Sequence, residues 1–324
     1  MISLLAVALI SLSVSLNPKM ENSLLSKRSI LDRIQALDAT KHADVYVGFV
    51  VGEQCVGQIH SNLVDDILDE CLYNGTPCFE RKEDAVFLIA EDWTAGMDAA
   101  TQLLIDKQII SKRHGDLYSV GLDTRKDPLC VVDRNAAPYF GITSVGVHLN
   151  CFVRHGNGNN GVSLWMAQRA PDKAHYPSLW DPTVAGGKPA TLTFHENLVK
   201  EAAEEAGISP AVVEKATAVS CLSQMTSKLD CSCLKQSLYY CWDLEVDSNF
   251  VPRAVDGEVA QFQLWDPTVL MEDIQNGNRL RPAMRLVVAD FLIRHGCITP
   301  DNEPDYTSIQ SAMHQERIFL WRPS

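Results

Sequence analysis

No part of this chain restricts its fold more tightly than residues 186–208, Gly-Gly-Lys-Pro-Ala-Thr-Leu-Thr-Phe-His-Glu-Asn-Leu-Val-Lys-Glu-Ala-Ala-Glu-Glu-Ala-Gly-Ile. Glu201, Glu204 and Glu205 stand at i, i+3 and i+4, so a helix would place all three carboxylates on one face. Like charges crowded in this way repel one another unless a cation sits among them. A hard divalent ion suits the position, because Mg²⁺ takes a few carboxylate oxygens and keeps its other positions for water and phosphate. Gly207 is suited to the left-handed turn that ends a helix. The segment therefore predicts a metal-binding helix placed just after a Gly-Gly turn. The competing expectation is an ordinary solvated helix face, which is what most closely spaced glutamates are.

This segment resembles the Nudix box, G-x5-E-x7-R-E-U-x-E-E-x-G-U with U a bulky aliphatic residue. Gly186, Glu201, Glu204, Glu205, Gly207 and Ile208 fall in register. Leu192 stands where the pattern has Glu, Lys200 replaces Arg, and Ala202 is smaller than the usual aliphatic. Glu196 lies four residues before Lys200, an order that supports a helical ion pair worth about 0.3 kcal/mol, so the lost brace is expected to have moved there. Further segments are similar to a Nudix subfamily with an extra N-terminal domain, related by label to thiamin pyrophosphokinase and including plant-chloroplast and fungal enzymes. These are Leu164–Arg169, Trp180–Gly187, Cys241–Glu245, Asp256–Val259 and Phe291–Gly296.

The resemblance implies an α/β/α sandwich with a mixed sheet, preceded by a small α/β domain. It implies metal-dependent hydrolysis of a diphosphate, with Mg²⁺ or Mn²⁺ as cofactor. Thiamin diphosphate or its oxidised oxy and oxo forms, cut to the monophosphate, are the first expected substrates. A nucleoside diphosphate such as 8-oxo-dGDP is the second, and a catalytically silent binding protein is the rival reading. Glu201 and Glu205 are expected to hold the metal, with Glu204 as ligand or catalytic partner. Glu258, in Asp256-Gly257-Glu258-Val259, is the candidate general base, against a plain solvated turn residue. Gly186 and Gly187 are expected at the substrate. Arg169 and Lys173 follow a strand leading toward the box, where a guanidinium fork suits phosphate oxygens. Trp180 is set either to stack on a substrate ring or to be buried.

Charge and motif searches exclude other classes. With 28 Lys and Arg against 41 Asp and Glu, the net charge of -13 disfavours nucleic acid and anionic membranes as partners. An acidic protein that takes a polyanion also needs cations between the two. Gly186-Gly187-Lys188-Pro189 is no phosphate-binding P-loop, because Pro189 stands where Ser or Thr is required. His195-Glu196 lacks the second His of a zincin, and a Gly-x-Ser-x-Gly elbow is absent. Cys221, Cys231, Cys233 and Cys241 are spaced C-x9-C-x-C-x7-C rather than as paired hooks, which points away from zinc.

The chain divides into an apolar leader (1–20), a first α/β block (27–144), a second block (145–300) and a polar tail (301–324) with a short amphipathic end. The leader reads as a signal-like segment without the preceding positive charge, or as an extension before Met20. In the first block helices are expected over the Ser-Ile-Leu-Asp-Arg-Ile-Gln-Ala-Leu run and Met97 to Ile110. Strands are expected over Val45 to Ile59 around Gly52-Glu53, Ala85 to Ala90 and Leu117 to Gly121. That block shows no chemistry of its own and is expected to pack against the second and frame its pocket. In the second block, a hairpin joins His148–Val153 to Val162–Ala167. Strands follow over Ser237–Val246 and Val259–Leu264, and helices open at Ser209-Pro210 and run over Pro267–Gln275 and Pro282–Arg294.

Overall fold

The computed structural model describes residues 29–36, 45–122, 127–156, 161–227 and 233–315. The 1–20 leader and the last residues of the tail lie outside them. The first helix, α1 (Ile30–Gln35), is short and held by a capping box in which Ser29 and Asp32 satisfy each other's backbone N–H. β1 (Tyr46–Val51) and β2 (Gln54–His60) form a hairpin around Gly52, which sits at φ 60°. The helix α2 (Ser61–Glu70) follows without a break. A two-residue hairpin, β3 (Leu72–Tyr73) with β4 (Thr76–Pro77), leads to β5 (Phe79–Lys82) and β6 (Ala85–Leu88). The resulting sheet has the order β2-β1-β6-β5, with β1 and β6 parallel. α3 (Trp93–Asp106), capped by Asp92, buries Met97, Ala100 and Leu104 against Phe49, Phe79 and Phe140. The hairpin β7 (Leu117–Val120) and β8 (Cys130–Asp133) closes this first unit.

A second, seven-stranded mixed sheet carries the rest of the chain. Its strands are β9 (Ser144–Arg154), β10 (Val162–Arg169), β11 (Trp180–Pro182), β12 (Val184–Gly187), β13 (Thr217–Ser227), β14 (Leu234–Glu245) and β15 (Val259–Trp265). β9 pairs with β14 in parallel and with β10 and β12 antiparallel. Alternation along β9 divides the sheet into two faces. Val147, Leu149 and Cys151 meet Leu198, Ala202 and Ala206 of α4 (Phe194–Ala206). Phe152, on the other face, enters a larger core with α6 (Pro267–Gln275) and α7 (Met284–Arg294). The single turn α5 (Pro210–Val213) follows α4. Helices on both faces of a mixed sheet make the α/β/α sandwich.

Two placements go beyond the sequence reading. α1 precedes the first sheet, yet its Ile30 and Ile34 are buried with Trp180, Leu270 and Leu286 of the second unit. The segment after Pro300 is not a free polar tail: α8 (Tyr306–Ala312) sits there, with Ile309 and Met313 fully buried in the same core. Burying two large apolar side chains contributes about 2 kcal/mol each, which anchors a stretch whose surface residues are otherwise polar. Cys71, Cys78, Cys130, Cys151 and Cys241 are buried free thiols, and among the described residues no helix is long and apolar enough to cross a membrane.

Candidate metal and catalytic site

α4 begins and ends on local sequence alone. Thr193 Oγ1 accepts the Glu196 N–H at 3.2 Å, and Glu196 Oε2 accepts the Thr193 N–H at 2.8 Å. Gly207 closes the helix at φ 63°, returning its N–H to Ala202 and Ala203 carbonyls. This capping box settles where Glu196 goes, and it corrects the expected Glu196–Lys200 pair. The Glu196 carboxylate is held at the helix start, so Lys200 reaches forward, to Glu204 at 2.7 Å and to Glu201 at 3.3 Å.

The three box carboxylates have different surroundings. Glu205 is partly buried, and Ala185 N–H of β12 donates to its Oε2 at 2.9 Å. Burial pushes its carboxyl up to about 8; the Ala185 hydrogen bond opposes this, while the negative neighbours Glu201, Asp181 and Glu258 add to it. Glu201 is 14% exposed and is likewise raised, first by burial, against the pull of Lys200. Its side chain packs under Gly186 so closely that a Cβ there would overlap it. Glu204 is half-exposed and held by Lys200.

Glu258 stands at the start of β15 and joins the two sides of the site. Its Oε2 meets Lys173 Nζ at 2.5 Å. Burial would raise its carboxyl, but the Lys173 contact and the charges of Arg169 and Arg134 hold it below the ordinary range. The carboxylate is thus tied to Lys173 and set among the basic groups of the site rather than left in a turn facing only water. Gly187, paired with Gly146 across β9 and β12, accepts an Asn197 Nδ2 hydrogen bond at 3.3 Å, tying the end of β12 to α4.

The proposed phosphate and ring contacts fare unequally. Lys173 lies beside Glu258, on the site. Arg169 gives Nη1 to Asp181 at 3.0 Å and Nε to the His175 carbonyl at 3.2 Å, so much of its fork is occupied within the protein. Trp180 is not a stacking surface. It is 6% exposed, its ring lies 5.1 Å from that of Trp265, and its backbone bonds to Arg279 and Arg281. An indole this large between two core elements is worth more buried than presented.

Sequence reading passed over Asp181, Tyr118 and Arg134. Asp181 is buried and receives Arg169 and Arg281, the latter at 2.5 Å. It lies in the Trp180–Gly187 segment already singled out, so a buried-carboxylate reading was open there. Tyr118 and Arg134 come from the first unit, and no spacing in the sequence points from them to the box.

The donor set suits a hard divalent cation. Glu205 is a carboxylate with one peptide N–H for a partner and three acidic neighbours, an arrangement that a cation relieves. Among the described residues, no three His, Cys, Asp or Glu side chains are already closed into a metal cage. Lys200 instead neutralises the Glu201 and Glu204 edge.

Family models and relatives match both blocks of the chain. The profile of the NUDIX domain matches residues 146–287, and that of a domain of unknown function (DUF4743) matches residues 29–144. The chain is 35% identical over 267 residues to "Nudix hydrolase 20, chloroplastic" of Arabidopsis thaliana, covering 79% of this chain and 70% of that protein. "Nudix hydrolase 24, chloroplastic" of the same plant is 33% identical over 270 residues, covering 82% and 71%. "Uncharacterized protein YJR142W" of Saccharomyces cerevisiae is 30% identical over 204 residues, covering 60% and 59%.

Proposed function

This chain belongs to the Nudix hydrolase family, enzymes that cut diphosphate linkages, and on that premise we propose that its substrate is thiamin diphosphate or an oxidised analogue. The products are the thiamin-type monophosphate and inorganic phosphate. The observation carrying the site is Glu205, partly buried on the same helix turn as Glu201 and Glu204, with its Oε2 held by the Ala185 N–H of β12 at 2.9 Å. The substrate reading rests on similarity along both blocks of the chain, and a nucleoside diphosphate such as 8-oxo-dGDP is the second candidate.

Glu201 and Glu205 would hold Mg²⁺ or Mn²⁺, with Glu204 joining once Lys200 is displaced. A bound divalent ion supplies charge neutralisation toward the phosphoryl oxygens. In the reaction a water oxygen attacks one phosphorus and the bridging P–O bond breaks. The other phosphate leaves with the bridging oxygen. Glu258, a half-exposed carboxylate beside Lys173, is the group assigned to take the proton from that water. Lys173 also brings positive charge to within reach of a phosphate. Gly186 leaves the Glu201 side chain room beneath the strand.

The test is a screen of the purified chain against thiamin diphosphate, its oxy analogue, 8-oxo-dGDP and sugar diphosphates, with Mg²⁺ and with chelator. Preference for the thiamin compounds supports the reading, and preference for the nucleotide replaces it. A folded protein inactive on every diphosphate would be a binding protein instead.

A further inference from the structure

Tyr118 on β7 and Arg134, directly after β8, bring the first unit to the end of β12. The hairpin is tied there by the Ala190 N–H, which donates to the Leu117 carbonyl at 2.7 Å. A Cβ on Gly187 would lie 2.5 Å from Tyr118 Oη and 3.3 Å from Arg134 Cζ, so any larger residue there would push these two side-chain tips away. Glu201 packs against Gly186, Tyr118 and Arg134 reach Gly187 at the next position of the strand, and the charge of Arg134 is felt by Glu258. The catalytic strand ends between the two units.

The charged groups around Arg134 are Asp116, His114 and Glu258. Its Nη1 donates to Asp116 Oδ2 at 3.2 Å, its guanidinium lies 5.7 Å from the Tyr118 ring centroid, and the side chain is 39% exposed. His114 pairs with the same Asp116 at 3.3 Å. A guanidinium has five N–H donors in a planar fork, so one bond to Asp116 orients it and leaves donors over. The other cations of the site are more fully engaged. Lys200 is shared between Glu201 and Glu204, Arg169 is bound to Asp181 and the His175 carbonyl, and Lys173 is on Glu258. Unlike these three, Arg134 stands at the end of β12 with donors left over and its side chain partly exposed.

We infer that Arg134, delivered to the site by the N-terminal unit, is a substrate-binding residue that grips a phosphate of the bound diphosphate. Asp116 and the Tyr118 ring position it. This assigns the N-terminal unit a part in substrate affinity, and it rests on the diphosphate-hydrolase reading above.

The test uses the full chain with Mg²⁺ and the non-hydrolysable probe methylenediphosphonate, followed by calorimetry. Losing a charge-assisted contact of this kind weakens binding roughly ten- to hundredfold. R134M, which keeps the apolar stem on Tyr118, is expected to show that loss with an unchanged melting temperature. R134K is expected to recover part of it. With the best diphosphate substrate, R134M should raise KM by a similar factor and leave kcat within threefold. Wild-type affinity for the probe in R134M, or absence of probe binding by wild type, overturns the assignment. Mg²⁺-dependent hydrolysis by wild type alongside unaltered probe binding in R134M removes Arg134 alone, whereas absence of hydrolysis on every diphosphate removes the underlying reading.

Discussion

Replacing Glu205 by Gln should stabilise the metal-free protein, and more so as the pH rises. The carboxyl sits near 8 in the fold, against about 4.3 in an unfolded chain. Between these values the folded state binds the proton more tightly, so stability falls as pH increases through that window. For one proton the slope approaches about 1.4 kcal/mol per pH unit, and integrating from pH 6 to pH 9 gives roughly 2 to 3 kcal/mol. Gln has nearly the same shape, and its side-chain oxygen can still accept the Ala185 N–H, so the substitution removes the charge and little else. The assay is urea unfolding of wild type and E205Q in chelator at pH 6, 7, 8 and 9. The difference between the two proteins cancels other titrating groups. E205Q should gain on wild type progressively from pH 6 to 9, and saturating Mg²⁺ should erase that gain by stabilising only wild type. A constant difference across the range, or a loss that grows with pH, would refute the reasoning about this carboxylate.

Three further substitutions separate site from scaffold. G186A places a methyl against the Glu201 side chain; Mg²⁺ affinity and hydrolysis should fall at least tenfold while the melting temperature moves by no more than a few degrees, and unchanged Mg²⁺ affinity would contradict that packing. K200M removes a half-exposed ammonium from Glu201 and Glu204; stability should change by less than about 1 kcal/mol, and Mn²⁺ binding followed by electron paramagnetic resonance should tighten rather than weaken. W180A opens a hole beside Trp265 and should cost about 3 to 5 kcal/mol in urea unfolding. If Trp180 instead contacts substrate, the less disruptive W180F will raise KM with little loss of stability.

Local rules made much of this fold readable. Gly207 ends α4, Pro267 opens α6 behind an Asp cap, and the strands around Gly52 follow from alternating burial and a left-handed turn. The Nudix architecture followed from the register of Gly186, Glu201, Glu204, Glu205 and Gly207. Legibility ended where two groups compete for the same partner, whether nearby in sequence or far apart. Glu196 had two possible partners, and the nearby Thr193 backbone took it, leaving Lys200 to Glu204. α8 looked polar because five of its seven residues are polar or aromatic-polar and only Ile309 is fully buried within it. Trp180 was open to either fate until β11 was seen against Trp265. Arg134 had no local signal at all, because its meaning depends on a strand more than fifty residues later.

Phosphate release from thiamin diphosphate and its oxy analogue, followed against Mg²⁺ concentration in wild type, E201Q and E205Q, addresses the site most directly. Wild type should turn over these compounds in a chelator-sensitive reaction. Each variant should lose at least a hundredfold in kcat/KM or need far more Mg²⁺, while remaining folded. Variants as active as wild type at the same Mg²⁺ concentration would contradict the assignment of metal binding to α4.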